Sequence, residues 1–356
     1  MAAQIEKFGT AAGPLISIIV LNCNGANWLP KCFETILSQT IIAQIETIMV
    51  DNNSSDNSVS VAQEWFAKFP MAAIVRNLEN LGFCEGNNSG ARVAGGRWLF
   101  FLNNDTWLEP DCMEKLVAGT EKLEAAASTP LVLNYPDNSY QDFGFYGFDA
   151  FGLPSPSAVA NETREIFIAG GCSYFIRSDV FDQVGMFDPE FFIYSDDSDL
   201  SWRVWIAGHK IAGIFEARLH HRGAAGVNPS GGITTVEFRT NDRKRFLTNR
   251  NSILTLLKNA RHILLLPIIP LVGWLLFESL AGAFLLRRWS FAKATFWNVL
   301  SDCWRLRRQV LEQRKKAAVF RRRSDFWMLR FFRLRLNRWD EVKRAFKLGL
   351  PRVDAK

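Results

Sequence analysis

At 356 residues, with 48% hydrophobic and 22% charged side chains, the chain is too apolar for intrinsic disorder and long enough for a large α/β domain plus an appendage. Its charge is lopsided: residues 287–356 hold 21 Lys/Arg against 6 Asp/Glu, a net of +15, whereas residues 1–286 hold 21 against 30. Such a tail points to a polyanionic partner, either nucleic acid or an anionic membrane surface. The 6 cysteines are scattered with no CxxC spacing, which fits reduced, mostly buried thiols and gives no metal or disulfide framework.

Residues 1–14 read as a leader without the apolar run of a secretory signal, so the domain that follows is expected in the cytoplasm. From there strand-like and helix-like pieces alternate. "LISIIVL" (15–21) is a continuous apolar, β-branched run of the buried-strand type, and "WLPKCFETILSQ" follows it with helical spacing. "IETIMV" (45–50) is a second strand before the helix "VSVAQEWFAKF", and "AAIVR" (72–76) is a third before the helix "NNSGARVAG". "RWLFFL" (97–102) is the fourth strand. This alternation predicts a parallel sheet with helical crossovers, whose ligands sit beyond the carboxyl ends of the strands. The polar residues concentrate there: "NCNG", "DNNSSD", "NLENLGFCEGNNSG" and "NNDT" follow the four strands in turn. One such loop is an ordinary turn. Four on one rim are a polar ligand site.

Beyond residue 135 the pattern loosens into "LNYPDNSYQDFGFYGFDAFGLPSPSA", an aromatic, Gly- and Pro-rich excursion over that rim. "IFIAGGCSYFIR" returns as strand, and "FIYSDDSDLSWRVWIAG" opens a helix that Ser195 or Asp196 can cap. "KIAGIFEARLHHRG" is a final strand ending at two histidines. Residues 15–257 thus read as one α/β domain built around that rim. Residues 258–290 hold an apolar segment (263–286) whose one charge is Glu278, long enough to span a bilayer. Pro267 and Pro270 disfavour a straight span, so a segment lying in the interface is expected, with a single span as the alternative. Residues 291–356 are a basic tail in which "FWMLRFFRLRLNRW" reads as an amphipathic helix suited to anionic headgroups, or else packed on the main domain.

The ordered set "SIIVLNCN", "ETIMVDNNSSDNS", "NLGFCEGNNSG", "FFLNNDT", "AGGCSYFIR", "EFFIYSDDSDLSWRVWIAG" and "HHRG" resembles the family 2 glycosyltransferases of GT-A fold, and among them the rhamnosyltransferase-like enzymes of bacterial surface polysaccharides. The resemblance covers about residues 15–257. It implies an α/β fold with a mainly parallel central sheet, an inverting sugar transfer and a nucleoside-diphosphate sugar donor. Asp51 then accepts the nucleobase N–H, which suits a group that accepts but cannot donate, with Asn22 and Cys23 beside the nucleotide. Cys23 stands where relatives carry an aromatic residue. Asn80, Gly82 and Asn88 belong to the phosphate-side loop, where glycine permits close approach and a helix N-terminus favours anions.

"NND" takes the place of the family's DxD. Asp105 retains the acid that binds a divalent metal, Mg or Mn, while Asn103 replaces the first acid, and Asn104 lies between them. His220, preferred from its spacing to Gly223, or His221 completes the metal site. In "SDDSD", Asp197 maps to the catalytic base and Asp196 to its acidic neighbour, with Gly171, Trp202 and Arg203 on the acceptor side. A lipid-linked saccharide acceptor follows from a membrane-facing tail, and places the enzyme on the cytoplasmic face of the membrane; oligomeric state is left open. A processive synthase would carry several membrane helices and a QxxRW motif. A nucleic-acid-binding protein would leave the acidic rim unexplained, and a degenerate scaffold, suggested by Asn103, would turn over no donor.

Overall fold

The computed structural model describes residues 4–9, 13–156, 161–223, 239–339, 343 and 352–354. Its centre follows from the apolar runs. Strands β2 (Ile16–Asn22), β3 (Ile45–Asp51), β4 (Met71–Arg76) and β5 (Trp98–Asn103) are parallel and almost wholly buried. Register brings their carboxyl ends into one row, with Asn22 opposite Asp51, Asp51 opposite Arg76 and Leu21 opposite Asn103. That row is the predicted polar rim.

Around the parallel heart the sheet is mixed. Within the leader, β1 (Gln4–Gly9) runs antiparallel along β4 and covers its edge. On the other side, after β6 (Thr106–Leu108), β7 (Ala127–Asn134) and β8 (Tyr140–Asp142), a short β9 (Phe145–Phe148), β10 (Pro154–Pro156) hairpin and β11 (Arg164–Glu165), the antiparallel β12 (Ser173–Arg177) bridges β5 to β7. The last long strand, β13 (Ile211–His221), is parallel to β7 and antiparallel to β6. The architecture is therefore GT-A-like, with parallel order beneath the polar rim and antiparallel order beyond it.

Because successive strand residues face opposite sides, Ile18 and Val20 pack with α1 (Leu29–Leu37) and α2 (Ser58–Phe66), together with Met113 and Leu116 of α4 (Cys112–Lys122). Ile19 faces the second layer, on the side of α3 (Gly82–Ala91) and α6 (Asp196–Ile206), beyond the short α5 (Ser178–Gln183). This second layer continues past residue 257. Helix α7 (Asp242–Asn259) contributes Ile253, Leu254 and Leu256, and α8 (Ile268–Leu285) contributes Leu271 and Leu275. After α9 (Trp289–Ala292) and a π-helical turn, α10 (Asn298–Arg305) and α11 (Arg307–Phe320) add Val299 and Val310. The basic tail therefore shares the core of the α/β domain.

The run "FWMLRFFRLRLNRW" is not one amphipathic helix. After α12 (Asp325–Met328) and one 3-10 turn the chain extends, and the Arg333 amide donates to the Phe148 carbonyl at 2.8 Å. The aromatic rings explain the change: Phe331 lies 4.6 Å from the Trp205 ring and 4.9 Å from Phe167, so core packing sets the backbone there.

Candidate active site

A cavity of about 890 Å³ opens at the carboxyl ends of the parallel strands. At the end of β2, Asn22 is fully buried and acts as a brace: it accepts from Asn104 Nδ2 at 2.7 Å and donates to Ser54 Oγ at 3.1 Å. Gly25 leaves room for this contact, since a Cβ there would lie 2.1 Å from Asn104 Nδ2. Cys23 lines the cavity, and burial followed by the Asp51 and Asp56 charges pushes its thiol up. Asp51 is buried just behind, with one oxygen accepting the Ser54 amide at 3.2 Å. Its neighbour Asn52, which by composition looks like a plain turn residue of "DNNSSD", reaches the cavity. Asn52 donates to Asn80 Oδ1 and to the Gly82 carbonyl, both at 3.0 Å, and so ties the loops after β3 and β4 together.

Asn80 and Gly82 line the same wall. Gly82 has φ +76° and lies against the Phe192 ring, where a Cβ would come within 2.5 Å. Helix α3 starts at Gly82, so "GNNSG" lies inside the helix and offers no N-terminus to a phosphate. Asn88 is accordingly structural: buried, it clasps the Phe187 backbone, donating to its carbonyl at 2.9 Å and accepting its amide at 3.1 Å.

Across the cavity the segment entering α6 holds Phe192, Tyr194 and Ser195 at φ +61°, +73° and +58°. Such conformations each cost about 1 kcal/mol or more and persist only when the surroundings impose them. Asn251 of α7 imposes them here, its amide facing the Phe191, Ile193 and Tyr194 carbonyls at 2.8–3.0 Å. The result delivers Asp196 and Asp197 into the cavity wall. Burial raises both carboxyls above the ordinary range, and the Asp197 charge raises Asp196 further. Asp197 accepts the Ser198 amide at 2.7 Å and its hydroxyl at 3.2 Å, which favours its charged form over that of Asp196. Gly171 lies directly against it, with room for a Cβ only 3.4 Å from Asp197 Oδ2.

Trp202 and Arg203 are not at the cavity. Further along α6 they turn into the core, Trp202 stacking 5.3 Å from Phe148 and Arg203 binding Asp199 at 2.8 Å and the Val184 and Met186 carbonyls. Arg203 thus braces the fold rather than the acceptor side.

Asn103 and Asn104 line the cavity, and the adjoining Asp105 is buried beside it. Alternation along β13 decides between the histidines. His221 pairs with Thr106 and brings Nε2 to 3.3 Å from Asp105, whereas His220 pairs with Trp107 and turns to Glu109 at 3.7 Å. His221 is thus the one that meets the acid, against the preference from spacing. Burial opposes a charge on His221, but the Cys172 sulfur and the Asp105 carboxylate hold it up at about 10. Among the described residues no group of 3 or more His, Cys, Asp or Glu forms a closed metal site. Two protein ligands suit Mg²⁺ or Mn²⁺, which retain positions for phosphate oxygens and water, so the residues present fit such an ion.

The sequence profile of Glycosyl transferase family 2 matches residues 17–185, which span the rim and the sheet that carries it. Residues 17–185 are a family 2 glycosyltransferase domain. The chain is 26% identical to O-antigen biosynthesis protein RfbC of Myxococcus xanthus over 234 residues, 62% of this chain and 18% of RfbC. It is 34% identical to the putative glycosyltransferase EpsH of Bacillus subtilis over 110 residues, 30% of this chain and 31% of EpsH. The chain therefore spans less than a third of either relative. The fold of the chain is similar to that of GalNAc-T7 solved with UDP, GalNAc and Mn²⁺ (TM-score 0.61, 14% identity, 96% of this chain and 59% of that one). It is also similar to residues 1–349 of Staphylococcus aureus TarS with UDP (TM-score 0.55, 12% identity, 94% and 91%). At such identities the likeness establishes the GT-A fold.

Proposed function

We propose that the protein is an inverting glycosyltransferase that moves a sugar from a nucleoside-diphosphate donor to an acceptor hydroxyl during surface-polysaccharide assembly. The observation that carries this reading is the meeting of two sets of groups in one cavity: the Asn52, Asn80 and Gly82 rim with Asn103 and Asn104, and the buried Asp196–Asp197 pair. Two carboxylates so close do not both ionise readily, and the Ser198 donors assign the charge to Asp197. Asp197 removes the proton of the acceptor hydroxyl as that oxygen bonds to the anomeric carbon and the bond to the diphosphate breaks. Asp51 receives the base N–H, and the nucleotide lies along Cys23, Asn80 and Gly82. Asp105 and His221 would hold the Mg²⁺ or Mn²⁺, whose chemistry is to neutralise charge on the departing diphosphate.

GalNAc-T7 and TarS were each solved with a uridine nucleotide, which supports a pyrimidine donor for this chain. Rhamnose from a dTDP donor is the sugar favoured by the motif set. A lipid-linked saccharide acceptor at the cytoplasmic membrane face is supported by α8. Its Leu271, Leu275, Ser279 and Ala283 face the domain along the whole helix, while Ile269, Phe277, Leu280 and Phe284 face outward. Exposed Trp289, Trp297 and Trp304 stand among exposed Lys293, Arg307 and Arg308, a mixture of aromatic and cationic groups that suits anionic headgroups. A helix packed along one entire side lies on a bilayer rather than crossing it. A donor panel tests the central reading: purified protein, Mg²⁺ or Mn²⁺ and individual nucleotide sugars, scored for hydrolysis and thermal shift. Hydrolysis of none, with no shift by UDP or dTDP, overturns it.

A further inference from the structure

A second, open pocket of about 420 Å³ lies between α7 and α10 and shares no lining residue with the catalytic cavity. Arg243 and Phe246 of α7 form one wall, and Ala294, Asn298, Ser301 and Arg305 form the other. The walls are held together from behind. The Asn249 amide of α7 donates to the Thr295 carbonyl in the π-helical turn (Lys293–Trp297) at 3.0 Å, and Arg250 binds Asp302 of α10 at 2.9 Å. Both acids at the pocket are already matched, Asp242 by Arg288 and Asp302 by Arg250 and Arg305. The pocket and its ion pairs thus set two acids, Asp242 and Asp302, against four cations, Arg243, Arg250, Arg288 and Arg305. Arg243 makes no ion pair among the described residues, and its guanidinium rests 4.9 Å from the Phe192 ring. The exposed side chains of Asn298 and Ser301 make no hydrogen bond among the described residues either.

The surroundings say what kind of anion fits. Trp297, Ser301 and Trp304 recur at helical spacing, so the pocket opens on a stripe that carries two indoles, 58% and 70% exposed. Thr295, two positions before Trp297, points inward instead and donates to Ser279 of α8 at 2.9 Å. Arg307 stacks on the Trp304 ring at 4.6 Å, which sets another cation beside the mouth. A guanidinium, an amide and a hydroxyl together match the several acceptor oxygens of a phosphate ester. Phe246 and Ala294 offer an apolar wall to the carbon chain that such an ester carries. Exposed indoles are at home where an apolar layer meets charged headgroups, the depth at which a lipid phosphate lies. Duplex nucleic acid offers the phosphate without that apolar layer.

We propose that the pocket between α7 and α10 is a headgroup site for an anionic phospholipid of the bilayer, in which Arg243, Asn298 and Ser301 take the phosphate while Trp297 and Trp304 flank it. The assignment rests on the bilayer contact proposed above for α8 and gives that contact a fixed point. An apolar face sets how deep the protein sits; a held headgroup sets how it is turned on the surface. Arg243 also stacks on Phe192, which lines the catalytic cavity, so one residue joins the headgroup site to the wall of that cavity.

Co-sedimentation of the full chain with phosphatidylcholine vesicles, with and without phosphatidylglycerol, tests this at constant ionic strength. Diffuse attraction to an anionic surface loses about fivefold for each cation removed and is indifferent to neutral substitutions. A built site responds to both. Arg243→Gln should weaken phosphatidylglycerol binding about tenfold or more, and Arg243→Lys, which keeps the charge but not the planar fork, should recover only part of it. Asn298→Ala with Ser301→Ala, which leaves the net charge unchanged, should weaken binding severalfold, whereas Arg308→Gln, outside the pocket, should cost only about fivefold. All these positions are exposed, so melting temperature and donor hydrolysis should stay at the parent values. A neutral double variant that binds as the parent does, or Arg243→Gln no weaker than Arg308→Gln, overturns the pocket and leaves the α8 contact standing. Inorganic phosphate or duplex DNA that displaces the parent from the vesicles assigns the pocket to a free ion or to nucleic acid, and overturns the lipid. Failure of the parent to bind vesicles containing phosphatidylglycerol overturns the bilayer contact itself, and the headgroup site with it.

Discussion

Lys258→Met should destabilise the protein by about 3 kcal/mol, although residue 258 touches no part of the proposed chemistry. Lys258 is 4% exposed and places Nζ 2.5 Å from Asp188 and 3.0 Å from Asp199. Asp199 also holds Arg203 at 2.8 Å and Asn259 at 2.8 Å, so the cluster joins α6, which carries Asp196 and Asp197, to α7. Methionine preserves the packed volume but takes from Asp188 its Lys258 partner and leaves Asp199 with Arg203 as its cation. Removing one partner of a buried ion pair costs about 3–5 kcal/mol, and the lower end applies because Asp199 keeps Arg203. Urea unfolding followed by tryptophan fluorescence at pH 7 measures the loss.

The same cluster fixes the sign of the pH dependence. Burial works to raise Asp199, but the Arg203 and Lys258 charges more than compensate and hold it at about 2, below its ordinary 3.8. A depressed carboxyl stabilises the fold above pH 4, and that contribution fades as pH falls toward 2. The gap between parent and Lys258→Met should therefore be full at pH 7 and narrow below pH 4. Asp188→Asn added to Lys258→Met should recover part of the stability. A loss under about 1 kcal/mol at pH 7, or a double variant weaker than the single, would refute the reasoning.

Asp197→Asn should lower kcat by about a hundredfold to ten-thousandfold while donor affinity by calorimetry stays near the parent value; retained turnover removes the base assignment. Because burial raises Asp197, the acid limb of the parent pH–rate profile should fall above the ordinary carboxylate range, and a limb at or below pH 4 contradicts this. His221→Ala should weaken the response of donor hydrolysis to added Mn²⁺ about tenfold or more, whereas His220→Ala, whose ring faces Glu109, should leave it within about twofold. Phe277→Glu with Phe284→Glu should abolish flotation with phosphatidylglycerol vesicles and leave donor hydrolysis intact; undiminished flotation refutes the α8 contact.

How much of this was legible in the sequence depended on whether a residue's partner could be inferred from its neighbours. The row Asn22, Asp51, Asn103 could be foreseen, because continuous apolar runs ending in amides and acids define both a buried strand and its polar end. The choice between His220 and His221 could not, since it depends on β13 pairing with β6 in one register, and a one-residue slip would exchange the two rings. Trp202, Arg203 and Asn88 misled for a related reason. Side chains typical of sugar and phosphate sites also make good internal braces, and only three-dimensional burial distinguishes the uses.

The tail shows the deepest limit. Apolar and aromatic residues at Phe331 and Phe277 announce that each leaves water, but not what it enters: Phe331 packs on Trp205, while Phe277 faces outward. The hydrophobic effect is non-directional, so a pattern alone assigns neither protein nor lipid. This has a practical consequence for dissecting the enzyme. Deleting residues 263–356 would remove Leu264, Leu271, Leu275 and Phe331 from the core shared with Trp202, so loss of membrane binding in that truncation would report unfolding as readily as anchoring. Substitutions confined to the outward face of α8 separate the two, because they alter what the helix presents without touching what it packs against.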